Sequence, residues 1–371
     1  MKILHLIQKP QLRGAEVFAA QLAQFQMRSG HDVLLVCIFQ GSDQLPFDGE
    51  IVYLNCLKKN RFWEFSGWKK IKKIINDFHP EIIQANAADT LKFSVLSKVI
   101  YKWKVPIIYR NANKMGDFIR SGWHYRFNQF LVKRIQGVIS VSELCNQDFK
   151  EVFGKLSIPD CTIYNGVSTI EIDHKMFGHL PEILRGKEYV LMIGAFVEEK
   201  NHKGILPIFD QIHKSYPAQY LVLVGTGGLE QEIRNEVEGM DCRQNVIFLG
   251  NSKNVFPIIQ KAQALLVPSK IEGLPGVILE AMYCKTPVLA YDVGGIGEVV
   301  RNGETGFLIP FENRKDYFLK LQELLADEGG SHLIYIDNAY TEVISSFNIE
   351  VLANSFLGFY NTVLSEIKAK G

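Results

Sequence analysis

The sequence predicts an α/β protein of two domains, each a parallel sheet covered by helices on both faces. Three observations point there. The chain has 371 residues, enough for two domains at roughly 100–200 residues each. Short apolar strands alternate with helical segments from end to end, as they do where parallel strands are buried on both faces. The alternation breaks once, near the middle, and then restarts.

The first-half strand candidates are Lys2–Ile7, Asp32–Ile38, Glu81–Ala85, Pro106–Arg110 and Gly137–Val141. Helical spacing of apolar residues fills Ala15–Arg28, Trp63–Phe78 and Thr90–Trp103. Residues Gly154–Gly186 carry Pro159, Pro181 and several glycines, with one short strand predicted at Thr162–Tyr164; this stretch reads as the inter-domain connection. Strands are then expected at Tyr189–Ile193, Gln219–Val224, Val246–Leu249, Ala264–Val267 and Pro287–Ala290. After Arg314 the pattern is helical throughout. The expected domains are residues 1–168 and 169–349, with a last helix near 350–371 packing back on the first domain.

Hydrophobic residues make up 47% and charged residues 22%, a globular balance that excludes long disorder. No apolar run approaches the roughly 20 residues that span a bilayer. The start, Met1–Ile7, lacks the apolar region and cleavage site of a signal peptide and reads as a buried strand. The six cysteines form no C-x-x-C pair and no metal spacing, so reduced thiols and a cytoplasmic location are expected. The net charge of +1 hides an asymmetry. Up to Asn165 there are 23 basic against 14 acidic residues; from Gly166 the count is 18 against 26. A basic first half suits an anionic partner or membrane surface, or simply solvated lysine-rich helix faces; no nucleic-acid partner is expected. Lys58–Lys73 mixes lysines with Phe62, Trp63, Phe65 and Trp68. Such a segment can lie on an anionic membrane, or its aromatics can pack inward.

The most informative stretch is Val267–Gly295. A strand ends at Val267, a loop carries Glu272-Gly273-Leu274-Pro275-Gly276, and a helix is predicted to start near Pro275. Loop glycines let backbone N–H groups approach a ligand, and a helix N-terminus favours an anion. Glu272 and Glu280 can face one pocket at different depths, and a carboxylate accepts hydrogen bonds from hydroxyls. Such a set suits a diphosphate with sugar hydroxyls at both ends. A solvated helix residue and a loop carboxylate are the plain alternative.

This stretch resembles the donor-site signature of the family 4 retaining glycosyltransferases, also called glycosyl transferases group 1. Glu272, Gly273, Leu274, Pro275, Glu280, Ala281, Pro287, Val288, Gly294, Gly295 and Glu298 match in order, followed by Thr305-Gly306-Phe307-Leu308. Further matches cover nearly the whole chain: Arg13-Gly14-Ala15-Glu16, Ser140-Val141-Ser142-Glu143, Tyr164-Asn165-Gly166-Val167, Gly194 with Lys200-Asn201-His202, Gly225-Thr226-Gly227 and Phe248-Leu249-Gly250.

The resemblance implies the GT-B architecture, two Rossmann-like domains facing across a cleft. It implies transfer of a sugar from a nucleotide-diphosphate sugar, with retention of configuration. The acceptor would be a lipid-linked or polysaccharide precursor of a cell-envelope glycan, and the enzyme could sit peripherally on the inner membrane face. Glu280 would hold the ribose and Glu272 the transferred sugar, while Lys200 would neutralise the leaving diphosphate. Gly14, Gly194, Gly273, Leu274 and Pro275 would complete the donor site. No metal or other cofactor is implied, and the chain has no Asp-x-Asp. Two departures stand out. Ala195 occupies the place of a frequent diphosphate arginine, where Lys203 or Arg13 could help Lys200. A frequent histidine of the first domain is also missing, leaving Arg13, Glu16, Asn86, Asp89, Arg110 and Asn111 as candidates on the acceptor or sugar side. A nucleotide-sugar epimerase of the same fold and a catalytically weak sugar-nucleotide-binding homologue are the rival readings.

Overall fold

A computed structural model describes residues 1–12, 14–57, 64–154, 156–326, 330 and 332–370. The chain divides into two units: Met1–Gly166 with Ile349–Gly371, and Val167–Asn348.

The first unit is built on a seven-stranded sheet in the order β3-β2-β1-β4-β5-β6-β7. The strands are β1 (Lys2–Ile7), β2 (Asp32–Cys37), β3 (Ile51–Tyr53), β4 (Ile82–Ala85), β5 (Ile107–Asn111), β6 (Gly137–Ser140) and β7 (Asp160–Thr162), and every pairing is parallel. Side chains alternate between the faces, so each strand feeds two cores. Leu4, Leu6, Ile83, Ile107 and Val138 pack under α2 (Phe65–Phe78), α3 (Ala88–Tyr101) and α5 (Glu143–Phe153). Ile3, Ile82, Ile108 and Ile139 pack on the other face, under α1 (Gly14–Arg28) and the terminal α13 (Ile349–Lys370). Helix α13 contributes Leu352, Phe356, Phe359, Tyr360 and Val363 to that face, at helical spacing. Helix α4 (Gly122–Val132) begins where the Ser121 hydroxyl accepts from the His124 N–H at 3.2 Å.

The second unit carries a six-stranded parallel sheet in the order β10-β9-β8-β11-β12-β13. Its strands are β8 (Tyr189–Ile193), β9 (Tyr220–Val224), β10 (Val246–Gly250), β11 (Ala264–Val267), β12 (Val288–Asp292) and β13 (Phe307–Pro310). One face is covered by α7 (His202–Ser215), α8 (Glu230–Glu238) and α11 (Arg314–Ala326) through Ile205, Phe209, Ile233, Tyr317 and Leu321. The unit also contains α6 (Thr169–Lys175), α9 (Phe256–Lys261), α10 (Gly276–Tyr283) and α12 (Leu333–Ser346).

Some expectations shift. The connection 154–186 holds helix α6 as well as a strand, and that strand is Asp160–Thr162, two residues earlier than expected. Helix α10 starts at Gly276. Pro275 precedes it with φ −73° and ψ 124°, an extended conformation, so it caps the helix instead of occupying its first position. Of Lys58–Lys73, residues 58–63 lie outside the described set; beyond them Trp68 is buried while Lys69, Lys70 and Lys73 are exposed. Among the described residues, no helix is long and apolar enough to cross a membrane, and no disulfide forms.

Candidate functional site

In an open parallel sheet, ligands bind beyond the carboxyl ends of the strands, where the strand order reverses. In the second unit that point lies between β8 and β11. The loops leaving these strands, and those leaving β9 and β12, interlock by backbone contact. Gly294, after β12, has φ +56°, and a Cβ there would stand 1.7 Å from the Glu272 carbonyl oxygen. Its neighbour Gly295 donates to the Gly273 carbonyl at 2.7 Å. Gly225, after β9, has φ +137°, and a Cβ would stand 2.0 Å from the Gly194 oxygen. Only glycine lets these backbones meet.

This packing brings together two expected site residues. Lys200, at the end of the short turn Glu198–Lys200, donates to Glu272 Oε1. Ser269 Oγ donates to the same oxygen at 2.7 Å. Glu272 is buried, and it accepts a charge-assisted bond across 72 residues of chain. Two further ties join the same loops. Asn201 Nδ2 donates to the Pro268 carbonyl at 2.9 Å, and the Lys270 N–H donates to the Glu199 carbonyl at 2.8 Å, beside an ion pair from Lys270 to Glu198. The sequence reading named Asn201 within a motif but gave it no role, and it missed Ser269 and the Lys270–Glu198 pair. Ser269 alone had a local signal, a hydroxyl three residues before Glu272.

Glu280 is the fifth residue of α10, just over one turn in. It is half-buried, and burial followed by the nearby Glu171 pushes its carboxyl up to about 7, against a partial offset from Lys175. His202, which opens α7, packs edge-on against Phe196 at 4.4 Å, and among the described residues neither ring nitrogen is hydrogen-bonded. Burial, then Lys200, lowers it to about 3, so it is a neutral packing group. Lys203 pairs with Glu232 on α8, and Arg13 lies outside the described residues.

In the first unit, Gly14 is the first residue of α1, and Glu16 accepts from Gln11 Nε2 at 2.8 Å. Asn86 and Asn111 do not line a surface. Asn86 accepts from Gln84 at 2.8 Å and donates to the Leu6 carbonyl at 3.2 Å, and Asn111 donates to the Cys145 carbonyl at 3.1 Å. Both are buried and hold strand ends. Arg110 is buried as well. Its guanidinium lies 4.3 Å from the Phe18 ring and donates to Asn165, while Nε and Nη1 have no partner among the described residues. Burial lowers its pKa to about 10, partly countered by Glu16.

The same unit has a distinctive outer face on α4. Trp123 is 71% exposed and stacks on Phe127 at 5.7 Å with the rings 2° apart. Arg120, Arg126 and Lys133 are exposed around it, as is Phe118 in the preceding turn.

The family model described as Glycosyl transferases group 1 matches residues 181–342, and that described as Glycosyltransferase Family 4 matches residues 12–171. The capsular polysaccharide biosynthesis glycosyltransferase CapM of Staphylococcus aureus is 24% identical over 100% of this chain and 99% of its own. The Vi polysaccharide biosynthesis protein VipC/TviE of Salmonella typhi is 28% identical over 154 residues, 40% of this chain and 27% of that protein. With several curated relatives the match spans from about a quarter to three fifths of their own length. The crystal structure of Anabaena HepE in complex with UDP-glucose superposes with a TM-score of 0.79 at 18% identity, covering 100% of both chains. Its likeness shows the fold. The chain belongs to the family 4 glycosyltransferases and has their GT-B fold.

Proposed function

We propose that this protein transfers a sugar from a nucleoside diphosphate donor to a lipid-linked or polysaccharide acceptor in cell-envelope glycan synthesis, with retention of anomeric configuration. The observation that carries the reading is the Lys200–Glu272 pair at the β8/β11 switch point. A departing diphosphate gathers negative charge, and a preorganised ammonium stabilises it most in the transition state. Glu272 accepts hydrogen bonds from the hydroxyls of the transferred sugar. The backbone N–H groups of Gly273 and Leu274, with the turn at Pro275, orient that sugar, while Glu280 holds the ribose. Gly194 keeps the backbone close to the diphosphate. Lys200 supplies the positive charge that a metal would otherwise bring, so the reaction runs without a cofactor.

The UDP-glucose bound by HepE and the capsular role in the name of CapM support this substrate class. The chain docks peripherally on an anionic membrane face through α4.

The test is a thermal-shift screen with UDP-, GDP- and ADP-sugars, since a ligand of the native state raises its stability by mass action. It is followed by turnover with and without a chelator and by assignment of the product anomer. Stabilisation by one nucleotide sugar, chelator-resistant transfer and a retained anomer are expected. Interconversion of the donor sugar without acceptor would establish an epimerase instead.

A further inference from the structure

The residues on either side of Lys200 are both tied to the loop that follows β11. Before it, the Glu199 carbonyl accepts from the Lys270 N–H at 2.8 Å. After it, Asn201 Nδ2 donates to the Pro268 carbonyl at 2.9 Å. Pro268 and Lys270 in turn flank Ser269, and Ser269 and Lys200 donate to the same oxygen, Glu272 Oε1. The lysine and the serine are thus held from both sides while their side chains converge on one carboxylate.

Asn201 gives up local bonds to take part in this. It sits at φ 57° and ψ 41°, the left-handed region, where residues other than glycine are strained and asparagine is among the least so. It also occupies the position just before α7. An asparagine there normally lies in extended backbone, and its side chain accepts from a free N–H of the first helical turn. Here the side chain makes no such cap and reaches 67 residues along the chain instead. The room it needs is left by Gly204 in the first turn of α7, where a Cβ would stand 2.4 Å from Asn201 Nδ2. An unusual backbone, a forgone cap and a glycine that makes way all serve one bond. Residues held in such sparsely populated conformations cluster at functional sites.

What the bond controls follows from its place. A lysine side chain is long and loses much rotamer freedom when it is ordered. The tie from Asn201 to Pro268 fixes the backbone next to Lys200 against the loop that carries Glu272, and so fixes where the lysine stem begins. An ammonium held in place beforehand spares a ligand the cost of ordering it. We propose that Asn201 is a positioning residue that holds the Lys200 ammonium ready for the diphosphate of the donor. The assignment rests on the transferase reading for the diphosphate, and on the geometry alone for the tie.

The test compares nucleoside diphosphates with their monophosphates, because the ratio of the two affinities isolates the added phosphate from the base and the ribose. UDP and UMP, GDP and GMP, and ADP and AMP are titrated calorimetrically into the full chain with EDTA present. The pair with the largest ratio is carried through the variants. Lys200→Ala should lower that ratio about 10-fold, by loss of a charged donor. Asn201→Gly keeps the left-handed backbone and removes only the side chain. It should lower the ratio about 5-fold, the cost of ordering a freed lysine on binding. Gly204→Ala, which displaces the same amide, should do likewise. Adding Asn201→Gly to Lys200→Ala should change nothing further, as expected of a residue that acts through the lysine and not of one that only supports the fold. An unchanged ratio in Asn201→Gly or in Gly204→Ala, or losses that add in the double variant, overturn the positioning role while Lys200 keeps its own. A wild-type ratio in Lys200→Ala, or no diphosphate that outbinds its monophosphate, removes the transferase reading of this site and the positioning role with it.

Discussion

Lys200 Nζ and Glu272 Oε1 are bonded to each other, so the lysine that follows β8 and the carboxylate that follows β11 neutralise one another at the switch point of the second sheet. Each is the group that a sugar nucleotide would claim. In the proposed reaction the diphosphate would compete with Glu272 for the ammonium, and the sugar hydroxyls would compete with Lys200 for the carboxylate. A complete donor would replace both halves of the pair at once. A bare nucleoside diphosphate would take Lys200 and leave Glu272 with only Ser269.

Lys200→Ala is therefore expected to lower kcat by about 10²–10³-fold, the range seen when one preorganised charge-stabilising group is removed. The donor KM should change far less, because the leaving group is most negative in the transition state. Steady-state kinetics at saturating acceptor check this. An unchanged kcat with a raised donor KM would leave Lys200 as a binding group only.

Glu280 makes stability depend on pH. Burial raises its carboxyl to about 7 in the folded chain, while the unfolded chain releases that proton near 4.3. Between these values the native state binds more protons, so stability falls as pH rises through the window, by at most about 1.4 kcal/mol per unit. Glu280→Gln should flatten this slope. Denaturant melts of both proteins from pH 4 to 8 read it, and equal slopes refute it. Glu280→Ala should also weaken donor binding about 10-fold, through loss of a charged acceptor for the ribose hydroxyls.

Gly294→Ala should be severely destabilising, by roughly 3 kcal/mol or more. The new Cβ would meet the Glu272 carbonyl oxygen at 1.7 Å, at a φ of +56°. Gly276→Ala, in the same stretch, meets nothing within 4 Å and should alter stability by less than about 1 kcal/mol. Thermal melts of the two variants give the contrast. Similar losses would show that the β12 turn is not locked to the Glu272 loop.

Much of the fold was legible because buried parallel strands are short apolar runs. β1, β8 and β11 begin and end where their sequence does, at Lys2–Ile7, Tyr189–Ile193 and Ala264–Val267. β3 is apolar throughout, Ile51-Val52-Tyr53, but a run of three residues is too short to read as a strand in sequence. Helix α6 hid within a stretch whose prolines and glycines read as a connection. At the site, the order of the motifs marked Lys200 and Glu272, but a bond spanning 72 residues has no local signature. The amides of Asn86 and Asn111 illustrate the converse. Polar side chains at strand ends look alike in sequence whether they face a ligand or the interior. Here the Leu6 and Cys145 carbonyls, brought up by β1 and α5, decide the matter.

Helix α4 carries the prediction about membranes. The basic excess of the chain up to Asn165 becomes, on this helix, exposed Arg126 with Arg120 and Lys133 at its ends, around a Trp123 that is 71% exposed. An indole with its polar tip and apolar body settles at the headgroup boundary, and each nearby Lys or Arg adds roughly 1 kcal/mol on an anionic surface. The chain should co-sediment with phosphatidylglycerol-containing vesicles and not with pure phosphatidylcholine, and salt should release it, because exposed charges are screened beyond roughly 8 Å at physiological ionic strength. Arg120→Glu with Arg126→Glu should abolish the preference for anionic vesicles. Trp123→Ala should weaken binding at every salt concentration while leaving the salt dependence intact, since the apolar and the charged contributions are separate. Lys69→Glu with Lys73→Glu, on exposed positions of α2, serves as the comparison, because Trp68 there points inward. If the α2 pair matters and the α4 pair does not, the docking face is on α2. Equal partitioning to both vesicle types, or to neither, rejects electrostatic docking.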